Sequence, residues 1–325
     1  MARLSSRVCS LLKEKSISQL RRRKIYTFVD FLREEPEKLV KICDLSYSEI
    51  MIIRRNVILH YSAFPKNCLN AYRGLLSHYA LIPFGVPSLD NMIDGGLLTG
   101  TLTEIYGSPS SGKTKLCYDI TAHVVLQLKQ QVMYVDAKGG FSGKSLRCRL
   151  ESYDFPLELV EEAQKNVTVI SVKCINELLS LLYHLRSSLN QEITEGVCTR
   201  LIIIDSLPSI FYQFIGETSN KGLGFMNSLA TILKCIAVEN RVAILLINLP
   251  SKGSEYVDTT DPVLQSSRKP FTSSSLLKPA LGNYWFHVPN LRLFVRKIHA
   301  SRELEVIVTK SSSVLIGKTC RFCAD

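Results

Sequence analysis

Between residues 101 and 114 the chain reads Thr-Leu-Thr-Glu-Ile-Tyr-Gly-Ser-Pro-Ser-Ser-Gly-Lys-Thr. Gly107 and Gly112 frame Ser108, Pro109, Ser110 and Ser111, and Lys113-Thr114 follow at once, the spacing G-x-x-x-x-G-K-[ST]. Glycines in those places let successive backbone N–H groups curl around a di- or triphosphate. The lysine then supplies charge at the β and γ phosphates, and the hydroxyl serves a magnesium ion. The chemistry on offer is the binding of ATP with Mg2+. A plain glycine turn produces the same letters, and the distinguishing context is a strand before the loop and a helix after it. Leu102, Ile105 and Tyr106 make a short β-rich run. From Lys113 to Lys129, Leu116, Ile120, Val124 and Leu128 recur at helical spacing with no proline.

Two strand ends add to the site. Leu201 to Ile204 is a continuous apolar run closed by Asp205, the pattern of an inner parallel strand whose carboxyl end emerges where ligands bind. Asp205 is therefore a candidate partner of Mg2+, acting through water beside Thr114. Asn248 ends the next apolar run, Ala243 to Ile247. Its amide suits either a γ-phosphate sensor or an ordinary strand-end cap.

These residues require a sheet. The chain alternates β-rich and helical runs: Val132 to Asp136, a helix near Lys144 to Tyr153, Val167 to Val172, a helix from Asn176 to Leu189, then Leu201 to Asp205, a helix from Leu223 to Glu239, and Val242 to Asn248. Alternation of this kind predicts parallel strands with crossover helices, an open α/β sheet, and Leu291 to Lys297 with Leu304 to Lys310 predicts a hairpin extending it. Segments 211–224 and 249–282 leave the same edge as long loops. The second carries Lys252, Arg268, Lys269 and Lys278 among Tyr256 and Phe271, a composition that suits single-stranded nucleic acid or, equally, a solvated loop.

Residues 1–60 are helical throughout by spacing, with Ser18, Pro36 and Ser46 as helix starts, and predict a small bundle. Arg21-Arg22-Arg23-Lys24 lies between two of these helices, as a solvated face, a phosphate contact or a localisation signal. Residues 61–80 follow as a linker, where Pro65 opposes a helix and the extended Ser62-Ala63-Phe64-Pro65 suits docking on a neighbouring subunit's sheet edge or packing on its own domain. Residues 81–325 make the ATP-binding core.

The chain has 325 residues, 46% apolar, and a formal net charge of +11. Residues 1–60 hold 13 Lys/Arg against 7 Asp/Glu and residues 241–325 hold 12 against 6, so the positive charge sits at the two ends and favours a polyanionic partner. No apolar stretch reaches the roughly 18 residues of a bilayer span and no signal-peptide core opens the chain, so an intracellular protein is expected. The ten cysteines are scattered, as reduced thiols are. Cys320-x-x-Cys323 is one thiol pair without the second that a zinc site needs.

With these residues in place the chain resembles the eukaryotic RecA-like recombinase family, and within it the D-type paralog group. The resemblance rests on Phe84-Gly85-Val86-Pro87-Ser88-Leu89-Asp90, Asp94-Gly95-Gly96-Leu97-Leu98-Thr99-Gly100, the phosphate loop, Val135-Asp136-Ala137-Lys138-Gly139-Gly140, Leu277-Lys278-Pro279-Ala280-Leu281-Gly282 with Trp285, Phe64-Pro65, and Lys310-Ser311-Ser312. It implies a helical N-terminal domain and a RecA-like P-loop ATPase core. It also implies nuclear work in homologous-recombination repair of DNA breaks, other recombinase paralogs as partners in a heteromeric complex, and loops facing single-stranded or branched DNA. Active members of that family carry a glutamate at the position of Lys138, where it orients the attacking water. An ammonium accepts no proton, so the expectation is ATP binding with weak hydrolysis, unless Lys138 stabilises phosphate charge instead. A self-sufficient strand-exchange ATPase and a structural adaptor with a vestigial site are the competing readings.

Overall fold

The computed structural model describes residues 4–6, 8–62, 65, 67–192, 198–214, 221–251, 278–298 and 303–323. It falls into two compact units, residues 1–74 and 75–325.

In the first unit the helices are α1 (Glu14–Arg22), α2 (Phe28–Arg33), α3 (Pro36–Ile42) and α4 (Tyr47–Tyr61), with α5 (Cys68–His78) crossing the boundary. Leu12, Ile17, Leu20, Phe31, Leu39, Ile50, Ile53 and Val57 are all fully buried and form its core, as the 3.6-residue spacing requires. Ser46 caps α4 through a reciprocal box with Glu49, and Pro36 opens α3. Ser18 starts nothing: it lies inside α1, where its hydroxyl donates back to the Lys15 carbonyl at 2.7 Å. The cap that sequence spacing passed over is Thr27, boxed with Asp30 ahead of α2. Residues 61–80 are also not all linker, since α5 occupies most of them. Pro65 precedes that helix and so breaks nothing inside it. Phe64 lies outside the described residues.

The second unit continues with β1 (Leu81–Ile82), α6 (Pro87–Met92), β2 (Leu97–Leu98), β3 (Leu102–Tyr106), α7 (Lys113–Leu126), β4 (Gln131–Asp136), α8 (Gly143–Glu151), α9 (Leu157–Lys165) and β5 (Val167–Ser171). After these come α10 (Ile175–Glu192), β6 (Thr199–Asp205), α11 (Leu207–Phe211), α12 (Lys221–Asn240), β7 (Ala243–Asn248), α13 (Gly282–Phe286), β8 (Leu291–Lys297), β9 (Glu303–Lys310) and β10 (Thr319–Cys323). Among the described residues, eight strands form one sheet in the order β10-β9-β8-β3-β7-β6-β4-β5. The strands from β8 to β5 in that order run parallel, and β9 and β10 add an antiparallel margin.

Helices cover both faces. On one, Leu116, Ile120 and Val124 of α7 pack with Tyr134, Ile203 and Leu245 of the strands. On the other, Leu178 and Leu182 of α10 and Leu229, Leu233 and Ile236 of α12 pack with Ile202, Ile204 and Leu246. Double burial explains the continuous apolar strands, and it places every parallel strand's carboxyl end on one rim.

The expected hairpin is present as β8 and β9. Two expectations change. The expected 211–224 loop is shorter, because α11 ends at Phe211 and α12 already starts at Lys221, its Gly222 and Gly224 disguising the first turn. By length and composition α12 is apolar enough to cross a bilayer, contrary to the expectation of no such stretch, but its apolar face is spent on the sheet. Cys320 and Cys323 lie three apart on β10, so they point to opposite sheet faces and cannot share a metal.

Candidate nucleotide site

β3 is buried along its whole length and delivers Gly107 to the rim. A Cβ on Gly107 would stand 2.1 Å from the Val295 carbonyl oxygen, so only glycine lets the loop pass this close to β8. Gly112 has φ +92° and lies against Leu304, so the turn into α7 also requires glycine. No side chain caps α7. Its first N–H groups are therefore left for a ligand, and the helix dipole favours an anion there.

Lys113 is buried, and its Nζ donates to the Gly107 carbonyl at 2.7 Å, to the Ser108 carbonyl at 2.7 Å and to Ser111 Oγ at 3.3 Å. Burial, and after it the Lys138 charge, push this ammonium down to about 8 against the opposing pull of Asp205. The loop's own oxygens thus stand in for the phosphate oxygens that Lys113 is built to meet.

Asp205 closes β6 and is 1% exposed. Its Oδ2 accepts from Thr114 Oγ1 at 3.0 Å and from the Tyr134 hydroxyl at 2.9 Å. Burial in particular holds the Tyr134 phenol well above its usual range, so it stays a neutral donor. Lys138 Nζ lies 2.9 Å from the Asp205 carboxylate and 2.9 Å from Thr114 Oγ1. The three residues named from sequence for the phosphate-proximal end, Thr114, Asp205 and Lys138, therefore meet at one point.

The placement of Lys138 has a cause one strand over. Asp136 ends β4 directly beside Asp205 in register. It accepts from the backbone N–H groups of Lys138 at 3.2 Å, Gly140 at 3.1 Å and Phe141 at 2.9 Å, which fixes the turn that throws Lys138 back over the rim. Gly140 leaves room for the lysine stem: a Cβ there would stand 2.7 Å from Lys138 Cε. Sequence reasoning gave Tyr134 and Asp136 no role. For Asp136 the signal was present, a carboxylate closing an apolar strand just as Asp205 does. A tyrosine inside a strand announces only burial.

These groups surround an open cleft of about 570 Å³, lined by Pro109 to Lys115, Lys138, Asp205, Ser206, Ser209, Ile247 and Leu249, a volume within the range of small-molecule sites. Asn248 is not on its wall. That residue is fully buried, donates through Nδ2 to Glu104 Oε1 at 2.7 Å and to the Ala280 carbonyl at 3.1 Å, and accepts the Leu249 N–H at 2.7 Å. Here it is a strand-end brace, and the sensor geometry is absent because both Nδ2 donors, which a phosphate would need, are already engaged.

The oxygens of Thr114 and Asp205 are the hard donors Mg2+ prefers. With Lys138 on them, however, they do not fit a divalent ion. Two like unit charges 4 Å apart repel by about 4 kcal/mol at the effective dielectric near a protein surface, and a divalent ion doubles that. Among the described residues no cluster of three or more His, Cys, Asp or Glu could hold a metal.

The family model described as "Rad51" matches residues 77–323, three quarters of the chain. The chain belongs to the Rad51 family. A second model, described as "RAD51D, N-terminal domain", matches residues 1–60. "DNA repair protein RAD51 homolog 4" of Bos taurus is 31% identical over 98% of this chain and 93% of its own length. The Mus musculus protein of that name is 31% identical over 91% and 84%. "DNA repair protein RAD51 homolog 2" of Homo sapiens is 28% identical over 92% and 82%. Among solved structures, "Crystal structure of the RadB recombinase" superposes with a TM-score of 0.59 at 19% identity, covering 75% of this chain and 96% of that one, and shows the RecA-like fold.

In this member of the family the residues on either side of segment 252–277 meet at one place. Pro250 and Pro279 form a bridge, the Ser251 N–H donates to the Lys278 carbonyl at 2.6 Å, and the Ala280 N–H donates to the Leu249 carbonyl at 2.8 Å. Exposed Lys278 stands at that bridge, and Leu249 is on the cleft wall. Lys252, Tyr256, Arg268, Lys269 and Phe271 lie outside the described residues.

Proposed function

We propose that this chain is an ATP-binding recombinase paralog that works in the nucleus, in a heteromeric complex with other family members, in homologous-recombination repair of DNA breaks. It holds ATP, hydrolyses it weakly, and meets single-stranded or branched DNA through the segments that follow β6 and β7.

The observation that carries this reading is the lysine on the rim. The phosphate loop, the open start of α7 and Lys113 supply what a triphosphate needs, but the group next to the γ-phosphate end is the Lys138 ammonium. Asp205, the neighbouring carboxylate, already accepts from Thr114, Tyr134 and Lys138. Among the described residues, no carboxylate on the cleft wall is left to take a proton from water, and loss of a general base costs roughly 10²- to 10⁴-fold in rate. Bound ATP then persists, which suits a nucleotide that stabilises contacts between subunits. The names of the relatives and the positive charge at both ends of the chain support the nuclear, DNA-directed part of the reading.

Copurification tests it. The intact protein recovered from cells should bring other Rad51-family proteins with it, and Lys113→Ala should reduce that recovery. Recovery alone, or with partners indifferent to Lys113, contradicts the proposal.

A further inference from the structure

We infer that the Lys138 ammonium is the cation of this nucleotide site, standing on Thr114 and Asp205 where related phosphate-loop sites hold Mg2+, and that the chain therefore binds nucleoside triphosphate without a divalent metal. The inference rests on the proposal that the cleft binds nucleotide and goes beyond it by naming what balances the phosphate charge.

Phosphate-loop sites place their metal between the hydroxyl that follows the lysine and the carboxylate closing a neighbouring strand. Here those groups are Thr114 and Asp205, and Lys138 Nζ is 2.9 Å from each. The hydrogen-bond directions are consistent. Thr114 donates to Asp205 Oδ2 and accepts from Lys138, and Tyr134 donates to Asp205 from the buried side. An ammonium has three protons. Two meet Thr114 and Asp205, and the third is available to a ligand oxygen on the cleft side, where Lys138 is 36% exposed.

The lysine is positioned for this and is not a chance surface contact. Asp136 fixes its backbone through three N–H groups of the same turn, and the missing side chain of Gly140 is filled by the lysine stem. Together with Lys113 across the loop, it presents two fixed positive charges to the β and γ phosphates. A metal arriving on Thr114 and Asp205 would have to expel one of them. Lysine acts at phosphates as a compact point charge with freely turning donors, so it can replace the metal's charge without reproducing its coordination geometry.

The test is equilibrium binding of a fluorescent ATP analogue to the full chain in magnesium and in EDTA, for wild type and Lys138→Ala. Wild-type affinity should change by less than about threefold between the buffers, while Lys138→Ala should bind at least about tenfold more weakly in EDTA than in magnesium. With Mn2+ as a spin probe, wild type plus ADP should retain no more metal than ADP alone, and Lys138→Ala plus ADP should retain more. Binding by wild type that needs magnesium, or Mn2+ held by wild type with ADP, overturns the inference and leaves the nucleotide reading standing. Wild type that binds the analogue in neither buffer overturns both.

Discussion

Two buried carboxylates on strands of the one sheet, one inside β3 and one closing β6, each hold a cation, and they differ in what is left over. Glu104 of β3 is fully buried, paired with the equally buried Arg292 of β8, and accepts also from Asn248 at 2.7 Å and from Trp285 Nε1 at 2.9 Å. Arg292 continues to the Phe286 carbonyl at 3.1 Å and lies over the Phe286 ring at 4.7 Å. That cluster ties the chain on both sides of segment 252–277 to the strand carrying the phosphate loop. Asp205 is as buried as Glu104, but its lysine is 36% exposed and faces an open cleft. A closed polar cluster fixes a shape, and an open one with a half-exposed cation is available to a ligand. Charge alone would not tell them apart.

The largest effect is expected in the closed cluster. Arg292→Ala leaves Glu104 buried without its cation and should cost about 3 to 5 kcal/mol, read as a lowered urea midpoint. A change below about 1 kcal/mol would mean that the cluster is not structural. At the open end, Lys113→Ala should weaken ATP binding by about 1.5 to 3 kcal/mol, roughly 10- to 150-fold, with little change in the urea midpoint. Unfolding of this variant would move Lys113 into the structural class. Asn248→Ala removes one donor from Glu104 and should cost about 1 to 3 kcal/mol in stability while leaving the preference for ATP over ADP unchanged. A shifted preference would return Asn248 to the γ-phosphate. The smallest effect is expected from Gly140→Ala, where displacing the lysine stem should cost about 0.5 to 1.5 kcal/mol of ATP affinity with no change in stability. Equal affinity would show that Lys138 reaches the rim without help from Gly140.

Much of this was readable in the residues because the physics is local. The phosphate loop, the apolar strands and the Asp205 terminus each declare themselves by spacing or by a polar residue closing an apolar run. Segments whose partners are distant in sequence were less legible. Asn248 satisfies Glu104, 144 positions away, and no local pattern distinguishes that brace from a sensor. The strand β10 is half exposed at the sheet margin, so it lacks the apolar run that marked the inner strands, and α9 presents a mostly exposed helix of charged residues. The substitution at Lys138 was visible against the family pattern. That its ammonium would land on Thr114 and Asp205 depends on the turn fixed by Asp136, which the sequence shows only as another strand-closing carboxylate.

The cleft proposed here holds ATP and scarcely turns it over, because a lysine stands where a base is needed. Single-turnover ATP hydrolysis, with and without single-stranded DNA, tests it in wild type and Lys138→Glu. Wild type should hydrolyse slowly in both conditions, and Lys138→Glu should be faster by roughly 10²-fold or more. Fast, DNA-stimulated hydrolysis by wild type that Lys138→Glu does not exceed would contradict it.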